Sequence, residues 1–361
     1  MSIKVNVNGA NKEMNKGFVN VSDLWKPINK IFIYTNENWK ETWVDVIPLI
    51  FATGSGEHDF RLYDYNLNLI STISNSQTTI DASLDTVRNI VYVVTISYSN
   101  NMYISHIKKI TNNGASISTL YSCENAYPLN IVADNVDGSL YLWVCDNNNT
   151  SSSTYLKKID TETGEVAWSR FIYRGHYSSK GMAITDYGIC LSIDESMDKP
   201  NIKTYDKSSG LCLHQNTYLS SIDSRYVQNI VTESNGAYIW CSTVREVGTP
   251  SSGFHKLFIA GNSSSRSNYK DGWYYTEQQN ALGIFSTNKL VVSIPDWGVK
   301  SDDFTITSDP NSNTHFGELT VLPNDDFVYS SGTARSIVKR NSDGVFIKSI
   351  KVSNSQKILK A

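Results

Sequence analysis

Gly138-Ser-Leu-Tyr-Leu-Trp-Val144, followed by Tyr155-Leu-Lys-Lys-Ile-Asp160-Thr-Glu-Thr-Gly164-Glu-Val-Ala-Trp168, holds an apolar strand entered through a glycine and then a hairpin closed by an Asp–Gly turn. The entry feature recurs. A Gly, Asn or Asp precedes a short apolar strand at Asn89, Gly138, Gly188, Gly236, Asn288 and Asp326, at intervals of 49, 50, 48, 52 and 38 residues. The strands that follow read as Ile90–Val94, Leu140–Val144, Ile189–Ile193, Tyr238–Cys241, Leu290–Ile294 and Phe327–Tyr329. The hairpin recurs too, at Asp206 to Gly210 and Asn341 to Gly344, with weaker copies at Asp64 to Asn68 and Thr111 to Gly114. An Asp or Asn at the head of such a loop accepts hydrogen bonds from the amides that follow, and the Gly supplies a positive φ.

The unit around Gly138 reads as four strands, Asn130–Ala133, Leu140–Val144, Tyr155–Ile159 and Val166–Ser169. Several strands per unit at a period near 50 residues predict an all-β protein, a β-propeller of four-stranded blades. Six units carry the entry feature. A further unit at the start has Val46–Ala52, Phe60–Tyr65 and Leu69–Ile73 but no innermost strand, so seven blades are expected over residues 45–361. The chain continues past a last outer strand at Val345–Val352 into Lys357-Ile358-Leu359. This tail is expected to supply the missing strand and close the ring, which removes a sheet edge. Between Cys241 and Asn288, and from Lys300 to His315, the period is expected to give way to long polar loops, where binding tends to reside.

Charged residues make up 19% of the 361-residue chain and the net charge is −3. No basic stripe suggests nucleic acid. No apolar run approaches the roughly 20 residues that span a bilayer, so membrane insertion is not expected. Met1-Ser-Ile-Lys-Val5 lacks the basic and apolar regions of a signal peptide, which predicts synthesis in a cytoplasm without export. The five cysteines, Cys123, Cys145, Cys190, Cys212 and Cys241, are odd in number and have no CxxC spacing; they read as reduced, buried fillers. The six histidines fall in different units, and no nucleophile elbow, P-loop or dinucleotide fingerprint occurs. No catalytic residue, metal or cofactor is therefore expected, and the chain reads as a binding or structural protein. The Asp160–Trp168 hairpin resembles the repeat of quinoprotein-like propellers, where the motif makes a turn and docks an outer Trp. An enzyme of that kind, or one degrading cell-wall polysaccharide, is one alternative.

Residues 1–44 stand outside the 50-residue period. They hold a shorter repeat, Val5-Asn-Val-Asn-Gly9 with Lys12, Phe18-Val-Asn-Val with Trp25-Lys26, and Ile31-Phe-Ile-Tyr with Trp39-Lys40, the lysines 14 residues apart. Each copy predicts a β-hairpin. Three hairpins bury too little surface to stand alone, so the module should dock on something. This repeat resembles the short N-terminal modules of tail and baseplate proteins from bacteriophages, and from phage-tail-like bacteriocins, of low-GC Gram-positive bacteria. The first copy departs from the pattern, with Ala10-Asn11 in place of the aromatic residue.

The resemblance implies a virion tail or baseplate location, oligomeric in the particle, with the N-terminal part attached to other tail proteins and the rest facing the host. Trp25, Lys26, Trp39 and Lys40 are then candidates for the attachment interface, or else pack within the hairpins. The propeller is expected to act as a receptor-binding protein for a host cell-surface glycan or a surface-layer protein; a baseplate scaffold without host contact is another alternative. Glycan sites combine aromatic faces with polar groups, since sugar rings have apolar faces and polar rims. Tyr173, Arg174, His176 and Tyr177, then Trp273, Tyr274 and Tyr275, then Asp296 and Trp297 form three such clusters.

Overall fold

The computed structural model describes the backbone of residues 4–7, 10–13, 18–21, 24–27, 30–35 and 38–44 near the N-terminus. Beyond these it describes 49–54, 59–86, 88–100, 102–111, 114–146, 153–174, 181–194, 200–216, 226–233, 236–244, 253–259, 266–270, 281–294, 298–308, 316–331, 336–352 and 355–359. Side chains are described from residue 59 onward, apart from 174, 194, 200, 226, 228, 243–244, 266–270 and 355–359 within strands. The chain divides into two units, Met1–Ile47 and Pro48–Ala361.

In the first unit β1 (Lys4–Val7) pairs with β2 (Ala10–Glu13), β3 (Phe18–Val21) with β4 (Leu24–Pro27), and β5 (Lys30–Thr35) with β6 (Asn38–Val44), each pair antiparallel. The sequence repeat is also a structural one: Val5 faces Lys12, Val19 faces Lys26 and Ile33 faces Lys40 in the three registers. Trp25 lies opposite Asn20 and Trp39 opposite Tyr34.

The second unit is a β-propeller arrangement without an α-helix among the described residues. After β7 (Leu49–Gly54), β8 (Asp59–Asp64) and β9 (Leu69–Ser74), six sheets follow, each a meander of four consecutive strands. The first is β10 (Thr78–Asp85), β11 (Ile90–Ser99), β12 (Met102–Thr111) and β13 (Ser116–Glu124). The second is β14 (Ala126–Ala133), β15 (Leu140–Asp146), β16 (Ser153–Ile159) and β17 (Val166–Arg174). The third is β18 (Met182–Thr185), β19 (Gly188–Asp194), β20 (Pro200–Tyr205) and β21 (Cys212–Asn216). The fourth is β22 (Tyr226–Thr232), β23 (Tyr238–Val244), β24 (Gly253–Phe258) and β25 (Arg266–Lys270). The fifth is β26 (Ala281–Ile284), β27 (Leu290–Ile294), β28 (Gly298–Ser301) and β29 (Thr305–Ile306). The sixth is β30 (Phe316–Val321), β31 (Phe327–Ser331), β32 (Ser336–Arg340) and β33 (Phe346–Lys351). A composite sheet joins the two ends of the unit: β34 (Ser355–Leu359) pairs antiparallel with β7, Ile358 opposite Ala52 and Leu359 opposite Phe51, in the order β34-β7-β8-β9. The C-terminal tail thus supplies the innermost strand that residues 45–73 lack.

The innermost strands touch in a cycle, β10 to β14, β18, β22, β26, β30, β34 and back to β10. A separate apolar cluster lies between each neighbouring pair of sheets. The second strand of a blade is covered on both faces by its neighbours, so it reads as a continuous apolar run rather than an alternation. Leu140 to Val144 and Leu290 to Ile294 are all buried, whereas β13 at the periphery is largely exposed. Adjacent blades are also stitched through backbone. Asp81 Oδ2 accepts from Ile131 N at 2.9 Å and Ser83 Oγ from Ala133 N at 2.9 Å, two bonds spaced by the repeat itself.

Several expectations need correction. Asp326 directly precedes β31 as expected, and the positive φ of that turn falls one residue earlier, at Asp325 (φ 63°), whose N bonds back to Leu322 O. In the hairpin after β8, the left-handed residue is Leu67 (φ 58°), not Asn68. A non-glycine residue there costs about 1–2 kcal/mol, which the nearly complete burial of the Leu67 side chain offsets at about 2 kcal/mol. The segment from Cys241 to Asn288 does not give way to loop throughout; it carries β24, β25 and β26, ordinary blade strands joined by longer connections. The stretch from Lys300 likewise contains β29, and Phe304 beside it stacks on Phe327 with ring centroids 5.5 Å apart. Cys145, Cys190 and Cys241 are buried, but Cys212 is exposed and Cys123 only half-buried, since both lie on peripheral strands.

Candidate functional site: two unlike faces and an axial cavity

The hairpins that close strands three and four of a blade are built by their first residue. Asp160 Oδ1 accepts from Glu162 N (2.9 Å), Thr163 N (2.7 Å) and Thr163 Oγ1 (3.1 Å). Asp206 Oδ1 accepts from Ser208 Oγ (2.5 Å), Ser209 N (2.6 Å) and Ser209 Oγ (2.7 Å). Asn341 Oδ1 accepts from Asp343 N and Val345 N. Gly164 (φ 77°) sits against the preceding blade, where an added Cβ would overlap the Leu120 carbonyl oxygen. Trp168 packs its ring on Tyr141 (centroids 5.9 Å apart) and lies where a Cβ on Gly210 of the following blade would go. Together with the turns joining first to second strands, these hairpins make one face of the ring, short and hydrogen-bonded.

Antiparallel order puts the ends of second and fourth strands on the opposite face. There β17 ends at Arg174 before β18 starts at Met182, β25 ends at Lys270 before β26 starts at Ala281, and β27 ends at Ile294 before β28 starts at Gly298. His176, Tyr177, Trp273, Tyr274, Tyr275, Asp296 and Trp297 lie outside the described residues. Arg174 is described in its backbone only, opposite Ser153, and so are Trp25, Lys26, Trp39 and Lys40 in their hairpins. Tyr173 is half-buried against the cluster between the second and third sheets, and its carbonyl accepts from Thr154 Oγ1.

Residues that the pattern of aromatic clusters did not single out converge on the ring axis. A cavity of about 470 Å³ at the short-turn face is lined by the innermost strands of all six consecutive-strand blades. Asp134, 1% exposed, closes its own turn by accepting from Val136 N at 2.9 Å, and pairs with Lys207 Nζ at 2.7 Å. Lys207 comes from the neighbouring blade, its carbonyl held by Tyr141 Oη at 3.2 Å and Lys158 Nζ at 3.4 Å. Glu233, 3% exposed, accepts from Trp240 Nε1 at 3.0 Å and pairs with Lys256 Nζ at 2.7 Å. Asp186, exposed, rests against Gly236 where a Cβ would stand. Deeper along the axis Asp81, Asn130, Asn229 and Glu318 line a smaller space of about 90 Å³. The sequence does carry a signal for these residues: Asp81 and Asp85, Asn130 and Asp134, Asn229 and Glu233 repeat one polar spacing of four at matching points of the period.

Burial pushes the Cys190 thiol up to about 11 and raises that of Cys241, so neither is an activated nucleophile. Among the described residues no group of three His, Cys, Asp or Glu side chains is arranged to hold a metal ion.

No protein-family profile matches the chain, and no curated protein matches it. Solved structures do. A chain of the mitotic checkpoint complex superposes with a TM-score of 0.56 at 12% identity, over 95% of this chain and 89% of that one. A Bacteroides uniformis protein provisionally described as a 6-phosphogluconolactonase gives 0.55 at 10% identity, over 86% and 98%. Chaetomium thermophilum Sqt1, solved bound to the N-terminus of the ribosomal protein L10, gives 0.51 at 11% identity, over 84% and 83%. At these identities the likeness shows the propeller fold and nothing about activity.

Proposed function

We propose that this chain is a structural component of a bacteriophage tail or a phage-tail-like particle. In this reading the hairpin module attaches it to other tail proteins, and the propeller recognises a host cell-surface glycan or surface-layer protein without catalysing a reaction. The propeller is read as seven-bladed, with the composite sheet as the blade that closes the ring. The observation that supports a recognition role is the inequality of the two faces. One carries short, hydrogen-bonded Asx turns around the axial cavity. The strands flanking all three aromatic clusters of the sequence end at the other, where a rigid scaffold presents its longer connections. Several copies per particle would let modest affinity per propeller suffice.

The test is fluorescent labelling of cells of Gram-positive hosts with the intact protein and with a version lacking residues 1–47, alongside assembly of both into particles. Both versions are expected to bind cells, and only the intact protein to assemble. Replacing Trp273, Tyr274 and Tyr275 by Ala together with Trp297→Ala is expected to reduce cell binding at least about tenfold, since aromatic anchors dominate such contacts. A folded deletion that no longer binds cells would overturn this division of labour.

A further inference from the structure

We infer that the axial cavity at the short-turn face binds an organic monocation, a protonated amine carried on an apolar body. Its volume, about 470 Å³, lies in the range of small-molecule sites. Asp134, Asp186 and Glu233 come from the three consecutive blades built on β14, β18 and β22, and Asp186 alone of these carboxylates is exposed. Aliphatic side chains line the cavity from all six blades, with Leu84, Leu282 and Leu319 contributed by β10, β26 and β30. A ligand filling it therefore meets the Asp186 carboxylate and a largely aliphatic wall.

The charge balance then selects the sign. Asp134 is neutralised by Lys207 and Glu233 by Lys256, both at 2.7 Å. Asp186 has no ion-pair partner among the described residues and is exposed at the cavity wall. Among the described residues that line this cavity, one negative charge is left over. An anionic ligand would meet it unscreened, and a neutral one would desolvate it without return. A protonated amine places its charge by Asp186 and its carbon skeleton on the leucines, the division of labour that amphipathic cations make elsewhere. Among the described residues the carboxylates are not grouped for metal coordination, which separates this site from an inorganic cation site. The cavity opens on the face opposite the strand ends that flank the aromatic clusters, so the inference stands apart from the proposed host recognition.

The experiment is calorimetric titration of the full chain with hexylamine, hexanol and hexanoate at neutral pH. Hexylamine is expected to bind about tenfold or more tightly than hexanol, and hexanoate not measurably, as one extra charge contact of roughly 1.4 kcal/mol or more requires. Asp186→Asn should lower hexylamine affinity about five- to tenfold, and Asp186→Lys should abolish it; both sit at an exposed turn, and thermal melts verify their folding. Equal binding of the three probes, no binding of any, or an unchanged affinity in Asp186→Asn would overturn the assignment.

Discussion

Asp206 shows how much of this fold is decided within five residues. Its carboxylate is held down to about 2, from its ordinary 3.8, by the hydroxyls of Ser208 and Ser209 and then by their amides. A native value below the unfolded one means that the unfolded chain binds the proton more readily. The resulting stability is complete above about pH 4 and is lost as pH falls through about 2. The group is largely in water, so screening reduces its contribution to about 1 kcal/mol. Asp206→Ala should therefore be less stable than the parent by about that amount at pH 5 to 7, with the gap closing between pH 4 and 2. Urea midpoints across that range check this; a gap that persists at pH 2 would mean that turn geometry, not charge, is what stabilises. Leu67 makes the converse point. Its left-handed backbone is unfavourable locally and is held by burial of its side chain against Val328 and Ile337 of another blade.

Elements in this protein are stable only as neighbours. A four-stranded meander has two apolar faces, and each is covered by the next blade rather than by a helix or a second layer. The composite sheet is where such a ring has to be closed, and β34 does it with a strand of five residues. Removing residues 353–361 leaves β7 as an uncovered innermost edge beside β10 and β30. The truncated protein should melt more than about 5 °C lower. Amides of residues 51–54 should then exchange with solvent far faster than those of β15, which hydrogen-exchange mass spectrometry resolves. An unchanged melting temperature would show that closure does not depend on this strand.

At the scale of the whole molecule, two units of different construction share one chain. The propeller unit contains its own apolar clusters, and its two ends pair within one sheet. Residues 48–361 alone should unfold cooperatively with a midpoint within about 2 °C of the same transition in the full chain. Differential scanning calorimetry checks this, and a shift of 10 °C or more would mean that the hairpins stabilise the ring. The ring also separates two surfaces. Short turns and the axial cavity occupy one face, and the longer connections leave from the other.

Local chemistry was enough to read the period, the Asx turns, the hairpin repeat and the strand that closes the ring. Each of these rests on residues close in sequence or on a missing strand matched by a surplus one. The blade boundaries after Cys241 were less legible, because long connections dilute the periodic signal while the strands between them remain ordinary. The axial site is marked in the sequence only by the polar spacing of four that Asn130 and Asp134 share with Asn229 and Glu233. Asp134, Asp186, Lys207 and Glu233 belong to three blades and look like common turn and surface residues until the ring brings them together. Sequence alone determined the repeating unit, since turn and strand preferences act over a few residues. Only the tertiary structure decided which side chains share the axis and which face carries the cavity, because that depends on how the closed ring turns each blade against the next.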